Sequence, residues 1–471
     1  MERALEMVDE LAADFVHLLR DGVRIPSVSN EIERHDDVCA MGAFVAQLAR
    51  DRGADSVLVV DDLGKLENGN PIPPVVLAQW GSDPAKHTLC VYGHYDVMPA
   101  AVEDGWEHQA DPFELVEKDM DGIGTVLFGR GSTDDKGPLL GWFCALQAMQ
   151  AAGMALPVNL KLVAEGREEA GSEGMDKLVS THPFFKENVD MFCISDNYWL
   201  GGFPCITYGL RGFCGMNVTV TGPERNLHSG IFGGLVVDPY LQVIQLLQSL
   251  TDAQGDIVIP SVLEDVQEVT DEERELYEAI HFDPESWRRE SGLPHIKGDS
   301  KVDVLMRRWR FPSLTIHGIE ASSPMNATII ASSVSARFSV RLVPDMDPAV
   351  TFEKIKAHLE QHFASLPGKN RLDVSMTYGA RAFVSDWHHY NFASAHAAVK
   401  DVYHVEPEMT REGGSIPVSL VFQNTGRNVC LLPIGDFDGN AHGPNENISK
   451  KNFLQGIKLF VAYMHHLGKA Q

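Results

Sequence analysis

Apolar residues in this chain come either in short unbroken runs or at spacings of three and four. The runs "VVLAQW" from Val75, "TLCVYG" from Thr88, "VNLKLVAEG" from Val158, "DMFCISDN" from Asp190 and "NVCLLPIGD" from Asn428 have the length and composition of strands buried on both faces. Helical patterns lie between them, most clearly "KGPLLGWFCALQAMQAAG", where Pro138 suits a first turn and Gly153 an end. Such alternation predicts an α/β fold with a mostly parallel sheet covered by helices on both faces, an α/β/α sandwich. At the start, Leu5, Val8, Leu11, Phe15, Leu18 and Leu19 recur at helical spacing, predicting one amphipathic helix and neither a signal peptide nor a membrane span.

The middle of the chain has another rhythm. The strand pattern "GFCGMNVTVTG" leads to a helix opening at Asp238-Pro239, with Leu241, Ile244 and Leu247 on one face. "SARFSVRLVP" then leads to a helix opening at Asp347-Pro348, with Phe352, Ile355, Leu359 and Phe363, and to the strand "LDVSMTYG". Two strand–helix units predict a small α+β layer of ferredoxin-like type, inserted into the larger domain as a lid. The charged segment 251–310 between them reads as helix and loop. The expected division is 1–208 and 381–471 for the catalytic domain and 209–380 for the insert.

Composition narrows the partners. The 471 residues carry 66 Asp and Glu against 39 Lys and Arg, a net charge of −27 that repels nucleic acid and anionic membranes. Seven cysteines are scattered without a CxxC pattern, several inside apolar runs, so a reducing, cytoplasmic compartment is expected. The sequons at Asn217, Asn326 and Asn447 then carry no weight.

Ligand-type side chains follow the strand-like runs. "CVYG" precedes His94 and Asp96, "NLKLVAEG" precedes Glu168 and Glu169, "MFCIS" precedes Asp196, and "VCLLPIGDFDGN" precedes His442. Asp134 and Asp135 lie just before the Pro138 helix. Open α/β sheets bind ligands outside the carboxyl ends of their strands, so these groups can converge on one crevice. Two imidazoles and several carboxylates suit one or two divalent ions, and the absence of sulfur points to catalytic Zn²⁺ or Mn²⁺ rather than structural zinc. Each group alone has a plainer reading. A lone loop carboxylate is usually solvated, His94 alone reads as a hydrogen-bonded structural histidine, and Asp134-Asp135 can cap the following helix. The doublets His388-His389 and His465-His466 point their members in different directions. "GIGTVLFGRGS" lacks the ending of a phosphate loop.

In order, "GHYDVMPA", "GRGSTDDKGPLL", "EGREEAGSEG", "ISDNYWLG", "TYGLRG", "LHSGIFGG", "MRRWRFPSLTIHGIE", "TREGGSIPV" and "AHGPNE" resemble the aminoacylase/carnosinase superfamily of dinuclear metallopeptidases. Within it the match is to the cytosolic non-specific dipeptidases, which include carnosinase-like and cysteinylglycine-hydrolysing enzymes. The resemblance implies a zinc-exopeptidase fold with a lid that also dimerises. It implies that His94, Asp134 and Asp196 bind one metal ion, and that Glu169 and His442 bind a second with Asp134 as the bridge. Glu168 matches the general base, and Asp96 matches the carboxylate that orients the His94 ring. A cis peptide is implied between Asp134 and Asp135. A lid histidine matched by His228 is implied to reach the oxyanion from the partner subunit, making a homodimer part of the mechanism.

The resemblance also implies that Arg341 and Ser415 hold the carboxylate of a short peptide, that Glu412 lies near its amine, and that Thr328 is a further contact. Two departures stand out: "SSPMNATIIASS" replaces the glycine-rich turn usual in the dipeptidases, and Gly443 stands where they carry serine. The expected activity is hydrolysis of Cys-Gly-like or carnosine-like dipeptides. The alternatives are removal of acyl groups from amino acids, or carboxypeptidase action, by the same site.

Overall fold

The computed structural model describes residues 1–322 and 328–470. Every buried run named above is a strand of one nine-stranded sheet, as its continuous apolar character demands. At its centre, Thr88–His94 lies parallel to Asn159–Glu165 on one side and to Met191–Ile194 on the other, and Met191–Ile194 lies parallel to Asn428–Leu431. Antiparallel strands finish the edges: Ser56–Val60 beyond Val75–Trp80, and Phe383–Val384 beside Cys205–Leu210. The parallel centre matters most, because it sends His94, Asp196 and the segment after Glu165 out at one end of the sheet.

Helix Lys136–Ala151 lies almost wholly buried against that sheet, ending where Gly153 takes φ +67. The N-terminal pattern gives two helices rather than one, Glu2–Glu10 and Ala12–Val23, broken at Leu11. The break divides the apolar positions into two sets, Ala4, Met7 and Val8, then Phe15, Val16 and Leu19, and both helices pack on Lys136–Ala151. All seven cysteines are free thiols, six of them buried. No helix among the described residues is long and apolar enough to cross a membrane.

The inserted layer is a four-stranded antiparallel sheet ordered Ser313–Ala321, Ser333–Leu342, Gly212–Thr221, Arg371–Ala380. With helices Pro239–Gln248 and Pro348–Ser365 it has the βαββαβ path of a ferredoxin-like unit. Its own core joins Val218, Val220, Val243, Leu246, Phe338 and Ile355. Asp238 and Asp347 cap the two helices, accepting from the N–H groups of Tyr240 and of Ala349 and Val350. The buried face of Pro239–Gln248 is Val243, Leu246 and Leu247, so Leu241 and Ile244 point outward, against the sequence expectation. The segment 251–310 does form short helices. Tyr277, Leu305, Met306 and Trp309 of this segment pack against Trp199, Leu200 and Cys205 of the larger sheet's side.

Candidate metal centre

The fold brings the five expected ligands together. His94 ends its strand with Nε2 3.1 Å from Asp134 Oδ1 and 3.7 Å from Asp196 Oδ2. His442 Nε2 lies 3.0 Å from Asp134 Oδ2 and 3.2 Å from Glu169 Oε2. Two trios result, His94–Asp134–Asp196 and Asp134–Glu169–His442, and the ligand atoms of each lie within 4.8 Å of one another. Asp134 belongs to both. The peptide between Asp134 and Asp135 is cis, as the resemblance implies.

Charge tests whether cations fit. Asp134 and Asp196 are buried, with Glu168 and Glu169 beside them, an arrangement that is costly unless positive charge is present. Burial, with Asp134 close by, pushes the Asp196 carboxyl up to about 7, and burial pushes Glu168 well above the carboxylate range. Hydrogen bonds to Asp134 and Glu169 raise the His442 imidazole to about 11. The His94 ring is also held well above its ordinary value, because hydrogen bonds to Asp134 and Asp96 outweigh its burial. Nitrogen and oxygen donors crowded around a negative excess fit divalent cations.

Asp96 does more than steer one ring. Nδ1 of His94 faces both the Asp96 carbonyl oxygen at 3.1 Å and its carboxylate at 3.4 Å. The same carboxylate accepts from the N–H groups of Glu168 and Glu169, each at 3.1 Å, and from Ser29 Oγ at 2.6 Å. One buried side chain therefore aligns the His94 ring and the acidic pair across from it.

A cavity of about 370 Å³ opens beside the trios, lined by Asp134, Glu168, Asp196, His442, Glu412 and Ser415 among others. Arg341 Nη1 donates to Ser415 Oγ at 3.0 Å, so the two residues expected to hold a carboxylate are in contact. Glu412 is also at the cavity, where Arg308 Nη2 donates to both its oxygens at 2.9 and 3.1 Å. His228 is not among the cavity's lining residues. It lies exposed in the lid, its Nδ1 accepting from Gly230 N–H, and it pairs with Ile329 one residue beyond Thr328. The Thr328 carbonyl accepts from Ser229 N–H at 2.8 Å, so Thr328 and His228 mark one spot on the lid. Residues 323–327 of the divergent "SSPMNATIIASS" stretch, Asn326 among them, lie outside the described residues.

Sequence reasoning missed the residue that holds the Asp134 loop. Glu446, fully buried, accepts from Arg130 Nη1 at 2.7 Å and from the N–H groups of Gly131, Thr133 and Asp134 at 3.0–3.1 Å. Its signal was the last letter of "AHGPNE", where only the histidine drew attention. Asp135 was set aside as a possible cap, yet its Oδ2 accepts from His94 N–H at 2.9 Å. Tyr198, in "ISDNYWLG", lines the cavity with its buried hydroxyl beside Asp134.

Comparison with known proteins places the chain among peptidases. The chain is 39% identical to the Cys-Gly metallodipeptidase DUG1 of Candida albicans, over 100% of this chain and 98% of the relative. It is 39% identical to the Beta-Ala-His dipeptidase of Homo sapiens, over 98% of this chain and 92% of the relative. The solved structure of the di-peptidase Dug1p from Saccharomyces cerevisiae superimposes with a TM-score of 0.89 at 39% identity, covering 100% of this chain and 98% of that one. Residues 90–466 match the description of peptidase family M20/M25/M40, and the chain belongs to that family.

Proposed function

We propose that this metallopeptidase hydrolyses dipeptides of the Cys-Gly and carnosine kind, using two divalent ions per subunit, zinc or manganese, bound by His94, Asp134, Asp196, Glu169 and His442. The observation that carries the reading is the pair of ligand trios sharing Asp134 at the wall of one small cavity. When bound, the ions supply Lewis acidity, easing loss of a proton from water and polarising the peptide carbonyl. Glu168 takes that proton on its carboxylate and returns it to the leaving amine. Its raised proton affinity suits an acid–base shuttle. Asp96 keeps His94 and the Glu168-Glu169 backbone aligned while the proton moves.

Substrate is held at both ends. Arg341 and Ser415 take the carboxylate, and Glu412 faces the amine, so the two anchors measure a chain of two residues. The oxyanion is met by His228 of the partner subunit, in a homodimer formed through the lid. Support comes from the exposed apolar strip Tyr240, Leu241 and Ile244 on the lid helix, with Ile231 and Leu235 exposed just before it. The substrate class is tested by a panel of Cys-Gly, carnosine, N-acetyl amino acids and tripeptides after metal removal and add-back. Dipeptide cleavage restored by metal supports the reading, and preference for N-acetyl amino acids or tripeptides overturns it.

A further inference from the structure

Behind the metal cavity lies a second, larger one of about 760 Å³, between the helices of segment 251–310 and the edge of the lid sheet. Trp287 and Arg308 line both cavities. The far walls are mainly apolar, formed by Ile257, Leu263, Val266, Ile296, Val304 and Leu314. Its charged groups are already paired, Asp256 lying 3.2 Å from Arg307 and 3.3 Å from Lys297, with Arg307 also 3.5 Å from Asp303 and Arg308 held by Glu412. An occupant of that space is therefore recognised by apolar surface, not by charge.

The partition between the cavities is fixed from both sides. The Arg308 guanidinium sits 5.4 Å from the Trp287 ring centre, and its two bonds to Glu412 hold it there. Phe282 packs on the indole with ring centres 6.0 Å apart. Trp287 Nε1 is buried with no acceptor among the described residues. A buried indole N–H is ordinarily paired, so packing rather than hydrogen bonding keeps this ring in place.

We propose that Trp287 is a specificity-determining partition. With the indole in place, the site favours dipeptides whose amine-end residue has a small side chain, and without it the second cavity becomes a subsite for large apolar amine-end side chains. The orientation rests on the reading that Glu412 faces the substrate amine, because Glu412 holds the Arg308 half of the partition.

The test compares kcat/KM for Phe-Gly and Ala-Gly in the metal-loaded wild type, Trp287→Ala and Trp287→Phe. Trp287→Ala is expected to raise the Phe-Gly to Ala-Gly ratio of kcat/KM about tenfold or more, with Trp287→Phe between. Leu263→Trp in the Trp287→Ala background refills the second cavity and is expected to remove the gain. An unchanged ratio in a folded Trp287 variant, or a gain that survives Leu263→Trp, overturns the proposal. Calorimetric binding of the non-cleavable reduced-amide analogues of the two peptides is expected to follow the same order, and equal binding shifts overturn it. A wild type that binds these analogues yet cleaves neither dipeptide speaks against the dipeptidase reading, while the binding order still decides the role of Trp287.

Discussion

Asp134 offers its two carboxylate oxygens to different histidines: Oδ1 lies 3.1 Å from Nε2 of His94, and Oδ2 lies 3.0 Å from Nε2 of His442. A carboxylate used on both edges is what a bridge between two cations requires. Asp134→Asn turns one edge into a donor and leaves the other intact. Elemental analysis is expected to show fewer than two metal equivalents per chain, with activity down more than about 100-fold, beyond the loss usual for an outer partner. Full metal content in this variant contradicts the bridge.

Glu168 lines the cavity without joining either trio. Glu168→Ala is therefore expected to keep its metal while kcat falls by about 100-fold to 10,000-fold, the range of general acid–base catalysis. A variant with near-normal kcat assigns the proton transfer elsewhere.

His228 stands apart from its own chain's cavity, so the two roles are separable between subunits. Mixing Glu168→Ala with His228→Ala protein and allowing exchange leaves one intact site in each mixed dimer. Recovery of about a quarter of wild-type activity is expected at equal mixing. No recovery despite mass-spectrometric proof of exchange places the histidine in its own chain.

Metal loading competes with protons, since ligands must be deprotonated to coordinate. Without metal, His442 holds its proton to about pH 11 and His94 is likewise raised, whereas Asp196 takes up a proton only below about pH 7. Loading is expected to release at least one proton per chain above pH 8, from His442, and more below pH 7, with affinity falling as pH falls. Calorimetry in buffers of different ionisation enthalpy reads this number, and pH-independent release contradicts the ligand set.

Glu446 pairs with Arg130 in a fully buried setting and gathers three backbone N–H groups of the Asp134 loop. Glu446→Ala strands that guanidinium and is expected to cost about 3–5 kcal/mol, read as a drop in denaturation midpoint with weaker metal retention. Unchanged stability and metal content would show that the loop is held by other means.

The strands were legible because burial on both faces leaves no charged letters in "TLCVYG" or "MFCIS", and the two lid helices because Asp-Pro announces a capped first turn. The outward turn of Leu241 and Ile244 was not legible, since helical spacing gives a face without saying what covers it. Nor was Glu446, because a carboxylate that binds backbone N–H groups looks in sequence like any solvated glutamate.

By itself the sequence determined the alternation that builds the sheet, the ligand types following its strands, and their order along the chain, since these follow from local composition and spacing. Only the tertiary structure decided that residues 40 to several hundred positions apart share one carboxylate, that Asp96 reaches two elements, and that Trp287 stands between two cavities. Those facts depend on distances between segments that meet only after packing, and no local pattern encodes such distances.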